Sequence, residues 1–366
     1  MQRIVLIAPH FQEYALLLAN ALARKAKVLL VIEQKRLASE YVDRTMPLSA
    51  NVEIMDTAFD SALDFPRIAL RLARFRPSVI HIQEASGFLK AALCCWVTAL
   101  FRRFCTIALT VHDPRPHEGR DTAIEQRLAR LRRFGRRGAH VVFVHGEHCL
   151  SEYRSVISVP HQRVLTTEHG VILQGAPREP QSPPLRILSF GRMEQYKGVD
   201  LLCAAAEALA AEQTPFHLRI AGRGPELDRF EQRFRALPQV EVTNAFVPAA
   251  MLVEEIGAAD CVVLPYLEAT QSGVLAGAFA NGRFVIASRV GGIPDVVEDG
   301  KSGLLVPPGD SHALAEAIRR LVQDRSLCGR LREGAVQTAR ERLDWDRIAD
   351  DLLARYAPDL PLSQRR

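Results

Sequence analysis

Two cationic side chains stand five residues apart in Gly191-Arg192-Met193-Glu194-Gln195-Tyr196-Lys197-Gly198. The apolar run before them, 185–190, reads as a strand, and the periodic segment from Val199 reads as a helix. A strand-to-helix turn presents free backbone N–H groups and the positive end of a helix dipole. Arg192 and Lys197 add two full charges there, a combination suited to a diphosphate. The plain alternative is a glycine turn with two solvated cations. A second segment, Pro265-Tyr266-Leu267-Glu268-Ala269-Thr270-Gln271-Ser272-Gly273-Val274, follows a strand-like run and leads into a helix over 274–281. Ser272 and Gly273 fall at that helix's N-terminus, again an anion site. The Glu268 carboxylate can accept hydrogen bonds from sugar hydroxyls. A serine cap beside a surface glutamate explains the same pattern. A third segment, Ser288-Arg289-Val290-Gly291-Gly292-Ile293-Pro294-Asp295, sets two glycines after a strand. Backbone can there come close to other backbone or to a ligand.

These segments need a scaffold that ends many strands on one side. Strand-like runs at 3–8, 27–32, 78–82, 106–111 and 140–144 alternate with helical patterns such as 13–25 and 66–75. That rhythm predicts a doubly wound parallel sheet. It breaks at 174–184, QGAPREPQSPP, which holds four prolines and reads as a linker. A second series follows at 185–191, 217–222, 240–246, 261–266, 284–289 and 303–307. The expected division is a first domain over 1–175, a linker over 176–184, a second domain over 185–344 and a closing segment, 345–366, able to pack back on the first domain. The fold class is α/β: two Rossmann-like doubly wound domains facing across a cleft, with ligands outside the carboxyl ends of the strands.

Composition narrows the class. The 366 residues are 48% hydrophobic and 24% charged, ordinary for a globular protein. The most apolar stretch, 88–101, is too short and too quickly followed by Arg102 and Arg103 to span a bilayer. The N-terminus reads as a first strand rather than a secretion signal. Seven cysteines, an odd number without a Cys-x-x-Cys pair, read as buried thiols of a cytoplasmic protein. Net charge is +5, yet residues 1–180 hold 25 basic and 17 acidic residues. An acidic partner is therefore expected on the first half.

Taken together, 191–198, IAGRGPE at 220–226, 265–282, 288–310 and the closing helix resemble the retaining glycosyltransferases of family 4, which have the GT-B fold. The joint order and spacing, over most of 185–356, are more specific than any one piece. The first half matches more weakly, through Thr110-Val111-His112-Asp113 and His169-Gly170-Val171. The resemblance implies a nucleotide diphosphate-sugar donor whose diphosphate is neutralised by Arg192 and Lys197. It assigns Glu268 to the sugar, and Gly191, Gly222, Gln271, Ser272, Gly273 and Val274 to donor contact. His112 would face the donor sugar from the first domain, with Asp113 able to orient its ring and His117 as the weaker substitute. No cofactor is implied, and the cations and helix dipole stand where a metal would. His145 and His148 share spacing but lack further ligands, so they read as no metal site. Two departures stand out. The second glutamate of the family's paired signature, which binds the ribose, falls on Ala276 or Gly277. The family's N-terminal diglycine is replaced by Pro9-His10-Phe11-Gln12-Glu13.

The expected activity is sugar transfer to a glycan or lipid-linked acceptor. The alternatives are a nucleotide-sugar-binding protein without catalysis, or an epimerase or phosphorylase on the same architecture. Six arginines crowd Arg127–Arg137 on a helical pattern. They read either as a solvated face or as contact with an anionic membrane, which would place the protein peripherally on the cytoplasmic face. Phe134 is the one aromatic among them and no reader motif appears, so nucleic acid is not expected.

Overall fold

The computed structural model describes residues 1–35, 37, 48–85, 87–115, 121–157, 159, 162–175 and 183–356, with 121–127 as backbone. His117, most of the expected linker and residues 357–366 lie outside that set. The chain forms two compact units, 1–168 with the segment from Trp345 onward, and 169–344.

The first unit is a seven-stranded parallel sheet of β1 (Gln2–Ile7), β2 (Ala26–Ile32), β3 (Val52–Asp56), β4 (Val79–Gln83), β5 (Thr106–Val111), β6 (Val141–His145) and β7 (Arg163–Thr167). Its order is β3-β2-β1-β4-β5-β6-β7. Between the strands run α1 (Gln12–Leu22), α2 (Asp64–Phe75), α3 (Phe88–Phe101), α4 (Asp121–Gly138) and α5 (Gly146–Val156). Ile80, Ile82, Ile107 and Leu109 of the central strands share a core with Ile68 and Leu72 of α2 and Leu93 and Val97 of α3. Successive strand residues face opposite ways, so His81, Gln83 and Thr110 point to the other side.

The second unit is a six-stranded parallel sheet, order β10-β9-β8-β11-β12-β13. Its strands are β8 (Leu185–Arg192), β9 (Phe216–Arg223), β10 (Val240–Asn244), β11 (Cys261–Leu264), β12 (Phe284–Ser288) and β13 (Gly303–Val306). Its helices are α6 (Val199–Ala211), α7 (Pro225–Arg235), α8 (Ala249–Ala258), α9 (Gly273–Ala280), α10 (Ile293–Val296), α11 (Ser311–Gln323) and α12 (Arg325–Arg342). Residues 169–175, read above with the first domain, pack here instead. The Asn281 amide donates to the Leu173 carbonyl at 2.8 Å, and its Oδ1 accepts from the Gly175 N–H at 2.9 Å.

The last helix, α13 (Trp345–Tyr356), returns to the first unit. Asp346 pairs with Arg24 at 2.6 Å and Asp350 with Lys25 at 2.7 Å, while Trp345 packs edge-on against Tyr14. Asp351 pairs with Arg355 at 2.8 Å, so the adjacent aspartates serve separate ion pairs. At the helix end the fully buried His81 bridges two elements. Its Nδ1 lies 2.6 Å from the Tyr356 hydroxyl and its Nε2 2.7 Å from the Thr110 hydroxyl.

The arginine-rich helix does not expose all its charge. Arg136 is buried, forms a two-pronged pair with Glu84 at 2.6 and 2.7 Å, and donates to the Pro114 carbonyl at 3.0 Å. Arg132 is half-buried, whereas Arg130, Arg133 and Arg137 are exposed. The lipid-facing reading of 127–137 therefore loses Arg136, because a carboxylate enclosed beside it needs its charge. All seven cysteines are unpaired, six of them buried. No helix among the described residues is long and apolar enough to cross a membrane.

Burial holds His81 down from 6.5 to about 3, so the folded chain keeps it neutral. The unfolded chain takes up that proton. Stability contributed by neutral His81 is therefore present above about pH 6.5 and lost as pH falls toward 3. Replacing His81 by Gln should flatten the stability–pH slope across that window in urea denaturation, and an unaltered slope would contradict the assignment. Tyr356→Phe should cost about 1–3 kcal/mol by stranding one buried ring nitrogen, read as a lower urea midpoint for the first unit.

Candidate functional site

In the second unit, the loops after β8, β9, β11 and β12 meet at the carboxyl end of the sheet, where open α/β sheets bind ligands. Backbone contact sets their spacing. Gly191 is registered with Gly222 and Arg192 with Arg223. A Cβ on Gly222 would lie 2.0 Å from the Gly191 carbonyl oxygen, so this glycine is explained by strand pairing alone. Beyond β8 the chain makes a short 3₁₀ turn, Gln195–Lys197, and enters α6 through Gly198 at φ +64°. A Cβ there would lie 1.9 Å from the Pro265 carbonyl oxygen. The Leu267 N–H donates to the Tyr196 carbonyl at 2.8 Å and sews the two loops together.

That seam positions Lys197. Its Nζ sits 3.8 Å from the centre of the Tyr266 ring and 5.1 Å from that of Tyr196. The ring faces stabilise an ammonium. Burial nevertheless pulls the Lys197 amine down to about 8, with the like charge of Arg192 adding in the same direction. Arg192 itself is exposed at the strand end.

The 265–272 loop is held from its other side by Gly291 and Gly292. A Cβ on Gly291, which has φ +55°, would lie 1.4 Å from the Ala269 carbonyl oxygen. One on Gly292 would lie 2.2 Å from that of Thr270. The diglycine thus shapes the loop by direct packing. The loop ends at Ser272, whose Oγ accepts from the Leu275 N–H at 3.3 Å and caps α9. Glu268 is exposed, while Gln271, Ser272, Gly273 and Val274 are half-buried. The Gln271 Oε1 is enclosed without a hydrogen-bond partner.

The position of the missing glutamate has a packing explanation. Ala276 is buried in α9. A Cβ on Gly277 would come within 3.2 Å of the Leu173 Cβ, so a side chain there would crowd Leu173. The same segment brings His169, absent from the candidate residues, to the start of α9. Its Cε1 would lie 3.5 Å from a Cβ on Gly273, and its Nδ1 lies 2.9 Å from the Gly170 carbonyl oxygen. Nothing in local spacing announces that neighbour, nor Tyr266 beneath Lys197.

His112 lies in the first unit, just past β5, and is buried. Its Nε2 is 2.8 Å from Gln83 Oε1 and its Nδ1 3.1 Å from His145 Nε2. Gln83 Oε1 can only accept, so Nε2 donates, and a neutral His112 then accepts from His145. Phe11 stacks on the ring at 3.8 Å from φ +54°, the left-handed conformation that a glycine would adopt freely. The turn that replaces the family's diglycine therefore supplies the lid of the histidine. His148 sits apart from His145's network and pairs with Glu152 at 3.7 Å.

Two parallel Rossmann-like sheets with this connectivity make the GT-B fold. Sucrose-phosphate synthase from Thermosynechococcus elongatus aligns with a TM-score of 0.75 at 20% identity, over 97% of this chain and 98% of its own. Anabaena HepE in complex with UDP and glucose aligns with a TM-score of 0.68 at 17% identity, over 97% and 99%. Residues 184–324 match the model of the glycosyl transferases group 1 family. A D-inositol 3-phosphate glycosyltransferase of Corynebacterium glutamicum is 33% identical over 181 residues, 47% of this chain and 43% of the relative. A putative colanic acid biosynthesis glycosyltransferase, WcaL, of Salmonella typhimurium is 30% identical over 202 residues, 51% and 48% of the two chains. The aligned part thus spans a little under half the length of these curated relatives.

Gly291→Ala combines a left-handed backbone with a collision against main chain, so it should destabilise the second unit by about 3 kcal/mol or more. Gly300→Ala, at φ +75° with open space around it, should cost only the left-handed strain, about 1 kcal/mol. Equal thermal shifts for the two would disprove the packing role.

Proposed function

We propose that the chain transfers a glycosyl unit from a nucleotide diphosphate-sugar to a glycan or lipid-linked acceptor, with retention of anomeric configuration. One observation carries the reading most: Lys197 and Arg192 sit on a loop sewn to the segment that caps α9, within the part of the chain that matches the family model. Departure of the nucleoside diphosphate develops negative charge on the leaving oxygen. Two cations and a helix N-terminus stabilise that charge more than they stabilise the bound donor, which lowers the barrier. Glu268 and the 271–274 backbone hold the sugar and phosphate, and His112 faces the sugar. The UDP and glucose bound by HepE support a nucleotide-sugar donor. The relative named for colanic acid biosynthesis supports a glycan acceptor. Retention rests on the family resemblance alone. We place the protein in the cytoplasm, and on this reading it needs no metal cofactor, since the cations supply the charge.

A second reading, donor binding without turnover, is favoured by the buried Ala276 and Gly277 where the ribose-binding glutamate would stand. Release of UDP from UDP-sugars across an acceptor panel separates the two. Sustained release supports transfer, and tight binding with no release supports the second reading.

Lys197→Ala and Arg192→Ala should each lower turnover by on the order of 100-fold with the fold intact. Wild-type rates in both would sink the diphosphate assignment. Because Lys197 loses its charge near pH 8 in the free protein, UDP affinity measured by calorimetry should weaken as pH rises through that value. Lys197→Met should bind weakly at every pH, without the step, and a flat wild-type profile would count against the contact. Activity should survive EDTA; loss on chelation, restored by magnesium or manganese, would require a metal in the mechanism.

A further inference from the structure

Helix α3 is apolar on both sides. Its inward residues Leu93, Val97 and Phe101 join the core of the first unit. Its outward stripe runs Phe88, Ala92, Trp96, Ala99 and Leu100, with Phe88 69%, Trp96 36% and Leu100 43% exposed. A surface helix ordinarily turns a polar face outward. The neighbouring helices extend the stripe. Phe65 of α2 meets the Trp96 ring at 5.5 Å, and the Cys95 thiol donates to the Leu131 carbonyl of α4 at 3.1 Å. Leu70 on α2, Phe134 on α4 and Phe104 just past α3 are exposed as well.

Charge on these helices is mostly basic, with acidic residues confined to Asp64 at the start of α2 and Asp121 and Glu125 in the first turns of α4. No Asp or Glu occurs in 65–83, 88–112 or 126–146. Exposed guanidinium groups flank the stripe at Arg67 and Arg74 on α2, Arg102 and Arg103 after α3, and Arg130, Arg133 and Arg137 on α4. Self-association through this face would set arginine against arginine across a two-fold axis, which is repulsive. An anionic bilayer satisfies both features, since the apolar stripe enters the acyl boundary while arginines reach the phosphates. Tryptophan is a side chain suited to that depth. At 14 residues, α3 is about 21 Å long, too short to span a core of about 30 Å. It would lie in the interface.

We infer that the outer face of α2, α3 and α4 is a docking surface for anionic lipid, with Trp96 inserted and Arg130, Arg133 and Arg137 on headgroups. It rests on the first unit alone and does not depend on sugar transfer.

The test is flotation of the full chain, without nucleotide, on vesicles of phosphatidylcholine with and without phosphatidylglycerol at low salt. Binding should require phosphatidylglycerol, and brominated lipid should quench tryptophan emission. Trp96→Phe should keep most binding and lose the quenching. The triple change Arg130→Gln, Arg133→Gln and Arg137→Gln should weaken binding on the order of a hundredfold. Phe88→Ser with Leu100→Ser should weaken it too, while circular dichroism and UDP affinity stay unchanged. No binding to anionic vesicles, binding insensitive to both sets of changes, or a wild-type dimer dissolved by the serine pair would each overturn the proposal.

Discussion

Gly198 lies so near the Pro265 carbonyl that a single added methyl would part the two loops. The same closeness recurs at Gly222 on Gly191, Gly224 on Met193 and Gly291 on Ala269. Main chain against main chain, with no side chain between, is what lets four loops crowd over one sheet edge. The polar residues of these loops take their places from that crowding. Lys197 lies against two tyrosines beside the seam, and Ser272 caps α9 at the end of the loop that the diglycine packs against. Rigidity of this kind suits a site that must present charge at a fixed spot, since no loop has to reorganise when the leaving group departs.

The first unit is organised by a different constraint, polar atoms inside a sheet. One face of β4 and β5 is aliphatic and feeds the core beneath α2 and α3. The other carries His81, Gln83 and Thr110, with His112 just past the strand. Buried polar groups must find partners. Most do so in two rows, Thr110–His81–Tyr356 and Gln83–His112–His145, with the Gln83 amide nitrogen left over. The first row ties the end of the chain to the middle of the sheet. The second holds the histidine of greatest functional interest in a fixed orientation, with Phe11 over it.

Much of this architecture was legible in the sequence, because central parallel strands are continuous apolar runs bounded by turns. β3 and β7 escaped notice for the complementary reason. They border the first sheet, their residues are largely half-exposed, and Val52-Glu53-Ile54-Met55-Asp56 carries no uninterrupted apolar signal. The candidate residues Arg192, Lys197 and Ser272 were visible as types at spacings. Their surroundings were not, since Tyr266 meets Lys197 and His169 meets Gly273 only through packing between distant segments. The grouping of 169–175 with the second unit was equally hidden, as it rests on contacts with distant residues such as the Asn281 amide and Gly277, more than a hundred residues further on. The six arginines of α4 looked alike in sequence, and only the enclosed Glu84 distinguishes Arg136 from its neighbours.

Burial shifts Lys197 toward its free amine. At pH 7.5 an ordinary lysine is a free amine about one time in a thousand, whereas one at about 8 is so roughly a quarter of the time. Only the free amine is a nucleophile. Half-buried, Lys197 is therefore acylated more readily than an ordinary lysine by a reagent that reaches it. A nucleotide analogue bearing an acylating group would find its attachment point already activated by the fold, and a covalent probe of this site would need no engineered cysteine.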